Sequence, residues 1–480
     1  MAVKITGQGK TVEDSLGKVI LPLGVYYGIS TQRALENFPI TNYQLHPELI
    51  KAIAMVKKAA VYANKPALES KAPGIFQYIA NACDAIINGF YHEHFVVDPI
   101  QGGAGTSLNM NANEVIANIA LTEMGYEKCL NAVVSPYDHV NMSQSTNDVI
   151  PTAARICIRK LLDELLATMN QLCEVFQEKS KEFDGIVKMG RTHLQDAVPI
   201  RLGQEFGAYV RVIRRDIDRI SKTGNYLYEV NLGATAVGTA LNANPDYVNE
   251  VINQLREITG FEELKRCECL VDGTQNTDCF TEVSAALKIC AINMSKIAND
   301  LRLMASGPRC GLGEITLEKL QHGSSIMPEK VNPILAELIN QVAFQVIGND
   351  LTVSLASEAG QFELNVMQPV LIYNLIQSVS MMNNAFKIFG EKCVKSISLS
   401  DNNLRRIKSY VDESPILATA LTPYIGYERA GAIARIALEE RTTALEICLR
   451  DETLVNRLGG EEMLRRILDP DAMTRMGESL

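Results

Sequence analysis

Four short polar stretches carry most of the groups in this chain suited to chemistry: QGGAGTSLNMN (residues 101–111), NMSQSTND (141–148), GRTHLQDAVP (190–199) and GSSIMPEKVNP (323–333). In the first, three glycines let backbone amides approach a ligand, and Thr106 and Ser107 add hydroxyls. No G-K-[ST] follows and no G-x-G-x-x-G is present, so it is not a phosphate loop; a tight turn before a helix is its plainest use. In the second, Ser145, Thr146 and Asn147 crowd the start of a helix, where amides and dipole favour an anion. One of them suffices as an N-cap, so three exceed that need. In the third, His193 follows Arg191 and Thr192. A single histidine is usually a satisfied structural residue, but the polar loop around this one gives it an equal claim to function. In the fourth, Asn332 reads as an N-cap ahead of Pro333, and Lys330 as a loop charge. Ser324 and Ser325 lack the G-x-S-x-G frame of a nucleophile elbow and the S-x-x-K frame of a β-lactamase. A flexible Gly-Ser-Ser loop remains as a lid or as the carrier of a base.

Together the stretches offer many neutral hydroxyl and amide donors, one lysine, one histidine and no metal cluster. That set suits a small carboxylate whose extra charge is stabilised by hydrogen bonds. The matching chemistry is removal of a proton next to a carboxylate, through an enediolate-like species. His92 and His94 lack a second ligand pair and read as surface histidines, and Cys267-x-Cys269 has neither zinc nor redox spacing. The cysteines, scattered and odd in number at eleven, read as thiols of a reducing cytoplasm.

Long helices must hold these loops. Apolar residues alternate at spacings of four and three through Val283, Leu287, Cys290, Met294, Ile297, Leu301 and Met304. Ile158, Leu162, Leu165, Met169, Leu172 and Phe176 make a similar seam. Long helices are expected at about 151–182, 202–231, 275–306, 332–359 and 365–392, with Pro151 in the first turn of the first. Such helices pack side by side, and more than one apolar stripe on each points to association with further copies of the chain. The predicted fold is all-α in three parts: a mostly helical region 1–140 with the first polar loop, a central bundle of five long helices over 141–395, and a small helical cap 396–480. An aromatic content of 6% with no Trp suits aliphatic helix packing better than a β-sandwich. A net charge of −10 without any basic block argues against nucleic acid as a partner. No stretch reaches the ~20 apolar residues that span a bilayer. The opening MAVKITGQGKTVEDSLGKVI has neither signal nor transit character, so a cytoplasmic protein is expected.

With these residues in view, GSSIMPEKVNP resembles the signature loop of the aspartase/fumarase superfamily. GRTHLQDAVP, SQSTND and GGAGTSLNMNANE resemble its other characteristic regions, in the family's order, and the similarity runs from about residue 12 to at least 395. The resemblance implies an all-α homotetramer with a tetrameric helical core, active sites built from three subunits, a small dicarboxylate substrate, and no organic cofactor. By position it implies that Ser324 is the general base on a mobile loop, taking a proton from Cβ. Thr106, Ser145, Thr146 and Ser325 match groups that bind the β-carboxylate, where charge builds up. Lys330 and Asn332 match groups that hold the α-carboxylate. Asn147, Thr192 and His193 match the surroundings of the leaving group, and Glu337 matches the carboxylate that orients the histidine.

GGAGTS, and Thr146 within SQSTND, resemble members that deaminate L-aspartate; members that hydrate fumarate tend to read TGSGTQ and carry a second serine. Hydration of fumarate is the second expectation, and elimination from an N-substituted aspartate the third. Ala305-Ser306-Gly307 matches the precursor of the electrophilic ring in another ammonia-lyase class, but a tripeptide match is weak, and MASGPRCG itself resembles the aspartase/fumarase text. Relatives of this fold also serve as structural lens proteins. The one feature pointing that way is Glu329, where the family usually has a small residue; a carboxylate there would pair with Lys330 or stiffen the loop.

Overall fold

The computed structural model describes residues 9–475; residues 1–8 and 476–480, the outer ends of the predicted terminal regions, lie outside the described residues. The chain is mostly helical. Its five longest helices are Thr146–Glu182, Leu202–Gly224, Asp278–Met304, Ile334–Glu358 and Gln368–Phe389, numbered first to fifth. Every residue of the two predicted apolar seams is buried.

The first long helix begins at Thr146, so Pro151 lies inside it and not in its first turn. Two bonds explain this. Ser145 N donates to Asp148 Oδ1 at 3.0 Å and Asn147 N donates to Ser145 Oγ at 3.2 Å, a reciprocal cap that starts the helix early. Pro151 has no N–H for the carbonyl four residues back, which is that of Asn147. Asn231 Nδ2 donates to that carbonyl instead, at 3.0 Å. The second long helix stops at Gly224, short of the expected end, where an added Cβ would lie 2.3 Å from Arg159 Nη1.

Two compact units divide the chain. One comprises residues up to Leu166, Asp218–Ile289 and Phe344–Asn383; the other comprises Ala167–Ile217, Cys290–Ala343 and residues from Asn384 onward. Each unit takes part of every long helix.

In the first unit the helix Pro47–Ala63 packs on Phe76–Ile87 and Pro245–Thr259, and its Ile50, Ile53, Val56 and Ala60 are buried. The helix Thr106–Glu123 is buried from Leu108 to Leu121, although Asn109, Asn111, Asn113, Glu114 and Asn118 interrupt its apolar text. Buried polar groups need partners. Glu114 takes the amides of Gly28, Ser30 and Thr31 at 2.9, 2.8 and 3.1 Å, which fixes the start of the helix Ile29–Asn37. Asn349 of the fourth long helix donates to Gln377 and Ser378 of the fifth.

In the second unit Phe176 of the first long helix, Phe206 and Tyr209 of the second, and Phe389 of the fifth meet with ring centroids 6.0–6.4 Å from Phe176. The helices at the C-terminal end share their own apolar cluster, including Leu421, Ile433, Cys448 and Leu464. Three two-stranded sheets among the described residues qualify the all-α expectation. The antiparallel pair Val187–Thr192 and Gln195–Arg201 occupies what the sequence suggested was a polar loop.

Candidate active site

In the first unit the loops 101–111 and 141–148 come together. Gly103, Ala104 and Gly105 all take positive φ (86°, 58° and 90°), turning the chain sharply into the helix that starts at Thr106. Gly105 lies against Ile150, 3.2 Å from where a Cβ would sit. Thr106 is exposed and its hydroxyl donates to Gly103 O at 2.8 Å. Ser145, Thr146 and Asn147 are half-buried at the start of the first long helix. Thr146 Oγ1 accepts from Asn109 Nδ2 at 3.2 Å, and Asn147 Nδ2 donates to Ala236 O at 2.7 Å.

Beneath them sits Lys57, fully buried, donating to Asn141 Oδ1 at 2.9 Å and Gln144 Oε1 at 3.0 Å. Burial pulls its pKa down to about 7, against the opposing pull of Asp148. Burial pushes Asp148 up to about 6, against hydrogen bonds from the amides of Ser145, Thr235 and Gly233.

The second unit holds the remaining predicted residues. The hairpin pairs Thr192 with Gln195, leaving His193 and Leu194 as a two-residue turn. Both take positive φ, 56° and 61°, as a type I′ turn requires. His193 is thereby presented at an exposed tip, with Thr192 beside it. The register slips between Met189 and Arg191, and at Gly190 an added Cβ would lie 2.6 Å from Val198 O. A buried ion cluster anchors this hairpin. Glu314, with 0% exposure, pairs with Arg191 Nη1 at 2.7 Å and with Lys188 Nζ at 2.7 Å. Lys188 also meets Glu205 at 3.0 Å, and burial lifts the Glu205 carboxyl above its usual range despite that lysine. The Arg191 guanidinium lies over the Tyr410 ring, 5.3 Å from its centroid.

The stretch 323–333 is a closed loop. Gly323 N donates to Lys330 O at 3.0 Å, and Asn332 Nδ2 donates to Gly323 O at 2.7 Å. An added Cβ at Gly323 would fall 2.3 Å from Lys330 O, so this closure needs glycine. Asn332 thus ties the loop and does not cap the fourth long helix, which begins at Ile334. Ser324 is half-buried, and its Oγ accepts from the amides of Ile326 and Met327 at 3.2 and 2.9 Å. Ser325 and Lys330 are exposed. Glu329 does not pair with Lys330: it meets Lys319 Nζ at 2.8 Å, which holds its carboxyl below the usual range. Its φ is +64°, the left-handed region that glycine enters freely and glutamate does not. Glu337 is in the first turn of the fourth long helix, half-buried. Among the described residues no side-chain hydrogen bond joins Glu337 to His193, and no group of three or more His, Cys, Asp and Glu is placed to hold a metal ion. Ser306 of the Ala-Ser-Gly tripeptide closes a turn, donating to Leu303 O and accepting from Leu312 N.

Residues that reasoning from sequence passed over support these groups: Lys57, Asn109, Asn113, and Lys188 and Glu314 of the cluster around Arg191. One signal was available. Ile50, Ile53, Lys57 and Val61 share a helical face, so Lys57 interrupts an apolar stripe.

Comparison with known proteins agrees with this fold. The family described as Lyase matches residues 17–348, and Fumarase C C-terminus matches 417–475. The aspartate ammonia-lyase of Bacillus subtilis (strain 168) is 57% identical over 465 residues, 97% of this chain and 96% of that protein. That of Escherichia coli (strain K12) is 46% identical over 440 residues, 91% of each. The crystal structure of a fumarate lyase:delta crystallin from Brucella melitensis superposes with a TM-score of 0.91 at 45% identity, over 97% of this chain and 100% of that one. A class II fumarase from Schistosoma mansoni gives 0.90 at 33% identity, over 97% and 99%. The chain belongs to the fumarase/aspartase family of lyases. Among the described residues, no helix is long and apolar enough to cross a membrane.

Proposed function

We propose that this chain reversibly deaminates L-aspartate to fumarate and ammonia. Ser324 Oγ takes the proton from Cβ, and the electron pair moves into the β-carboxylate, giving an enediolate-like dianion. Ser145, Thr146 and Ser325 donate hydrogen bonds to that carboxylate as its charge grows, joined by Thr106 once its hydroxyl turns away from Gly103 O. Lys330 and Asn332 hold the α-carboxylate. The C–N bond then breaks, with Asn147, Thr192 and His193 around the departing amine and Glu337 orienting His193. No organic cofactor is needed, because the hydrogen-bond donors stabilise the extra charge.

One observation carries the reading. A serine acts as a base only if its alkoxide is stabilised, and Ser324 Oγ already accepts two backbone amides, at 3.2 and 2.9 Å. Hydrogen bonds to the ionised form favour ionisation. The identity to aspartate ammonia-lyases supports aspartate over malate.

The same reading has the chain assemble as a homotetramer, in the cytoplasm, with sites completed by neighbouring copies. Supporting it, Phe344, Ile347, Leu351 and Leu355 form an exposed apolar stripe at helical spacing on the fourth long helix. A division near 140 and 395 goes with it, favoured at the C-terminal end by that region's separate apolar cluster.

The test is to follow fumarate by its ultraviolet absorbance with L-aspartate and with L-malate. Fumarate from aspartate is expected; fumarate from malate alone refutes the choice of substrate. Ser324→Ala should keep the fold and lose about 10²–10⁴ in turnover. Near-normal turnover in that variant removes Ser324 as the base.

A further inference from the structure

We propose that Asn109 is a positioning residue that sets the polarity of the Thr146 hydroxyl, so that its proton points at the substrate carboxylate. The proposal rests on the reading of Thr146 as a carboxylate donor.

A threonine hydroxyl has one proton and can accept two hydrogen bonds. Asn109 Nδ2 donates to Thr146 Oγ1 at 3.2 Å, so the hydroxyl's proton is not used on Asn109 and remains available to a ligand. Asn109 is 2% exposed, which keeps water from competing for either amide atom.

The orientation of this amide is itself fixed. Asn109 Nδ2 also donates to Asn141 Oδ1 at 3.2 Å, and the same oxygen accepts from Asn113 Nδ2 at 3.1 Å and Lys57 Nζ at 2.9 Å. Lys57 Nζ has protons for both Asn141 Oδ1 and Gln144 Oε1, with or without its charge, and so holds the oxygen of Asn141 toward itself. Asn141 Nδ2 is occupied on the other side by Gln144 O at 3.2 Å. Rotating the Asn109 amide would set its oxygen against the oxygen of Asn141 with no proton between them. Direction therefore passes from Lys57 to Asn141 to Asn109 and ends at the hydroxyl of Thr146.

Comparing Asn109→Asp with Asn109→Ala tests this. The aspartate variant keeps the shape but captures the proton of Thr146; the alanine variant merely frees the hydroxyl. Asn109→Asp should raise KM for L-aspartate and the inhibition constant of the unreactive dicarboxylate succinate about tenfold or more, the scale of one hydrogen bond to a charged group. Asn109→Ala should raise them less. In the Thr146→Val background the effect of Asn109→Asp should shrink to what its clash with the Asn141 oxygen alone causes. Asn109→His, which can offer a ring N–H in the donor position, should stay near wild type. An alanine variant worse than the aspartate variant would mean packing alone. Independent, multiplying effects of Asn109→Asp and Thr146→Val would also overturn the proposal. If the buried carboxylate prevents folding, judged by circular dichroism, the Asn109→Ala and Thr146→Val cycle decides: the alanine effect must vanish in the valine background. Wild-type constants in Thr146→Val alone would instead overturn the reading of Thr146, whatever Asn109 does.

Discussion

Replacing Glu314 with glutamine removes one negative charge from a place where water cannot substitute for it. Glu314 is 0% exposed and its two cationic partners both lie at 2.7 Å. Removing one member of a buried ion pair typically costs about 3–5 kcal/mol. Lys188 keeps a second carboxylate, Glu205, at 3.0 Å, so the group left most exposed to loss is Arg191. The glutamine oxygen can still accept from Arg191, which places the expectation at the low end, about 3 kcal/mol, or roughly a hundredfold in the folding equilibrium. Urea unfolding followed by circular dichroism reads this directly. The penalty should persist in high salt, because a buried pair is screened far less than an exposed one. Activity should also fail at lower urea than the global helix signal, since Arg191 is next to the turn that presents Thr192 and His193. A Glu314→Gln enzyme with the parent's unfolding midpoint and turnover would show that this cluster anchors nothing.

Three further outcomes follow from the geometry. Glu329→Gly should leave KM for aspartate within about twofold, because the Glu329 carboxylate meets Lys319 and not Lys330; a clear fall in KM would show that it competes with substrate. The lowered pKa of Lys57 means that between about 7 and 10.5 the unfolded chain holds more protons than the folded one. Stability from this group therefore rises with pH there, by at most about 1.4 kcal/mol per pH unit, and Lys57→Met should flatten that slope in urea titrations at pH 7–9. Asp148 acts oppositely: with its pKa raised from 3.8 to about 6, its contribution falls as pH rises through that window. Leu351→Asp on the exposed stripe of the fourth long helix should reduce the assembled mass in light scattering; an unchanged mass would move the proposed subunit interface elsewhere.

What was legible in the sequence was local. Heptad-like spacing marked the residues from Val283 to Met304, and all of them are buried. Clusters of hydroxyl and amide side chains marked the loops at 101–111, 141–148 and 323–333. Pairings between distant residues were not legible. Glu314 meets Arg191 across 123 positions, and Lys57 meets Asn141 across 84, so no window of sequence contains either pair. The hairpin at 187–201 was hidden for another reason: its turn uses His-Leu, which lacks the Asn-Gly type of signal that usually announces positive φ at two successive residues. Pro151 misled because its missing N–H matters only if nothing else satisfies Asn147 O, and Asn231 does.

The bond from Asn147 N to Ser145 Oγ has a consequence for redesign. Ser145, which the proposed function places at the β-carboxylate, is a natural position to randomise when widening substrate scope, yet its hydroxyl also caps a helix of 37 residues. Losing such a cap commonly costs about 1 kcal/mol. A library built at Ser145 would therefore confound selectivity with thermal tolerance, and variants discarded as inactive would include proteins that were merely fragile. Screening at two temperatures separates the two causes. Thr146, one residue later, offers a hydroxyl that caps nothing, so a library there would report on recognition with less interference from folding.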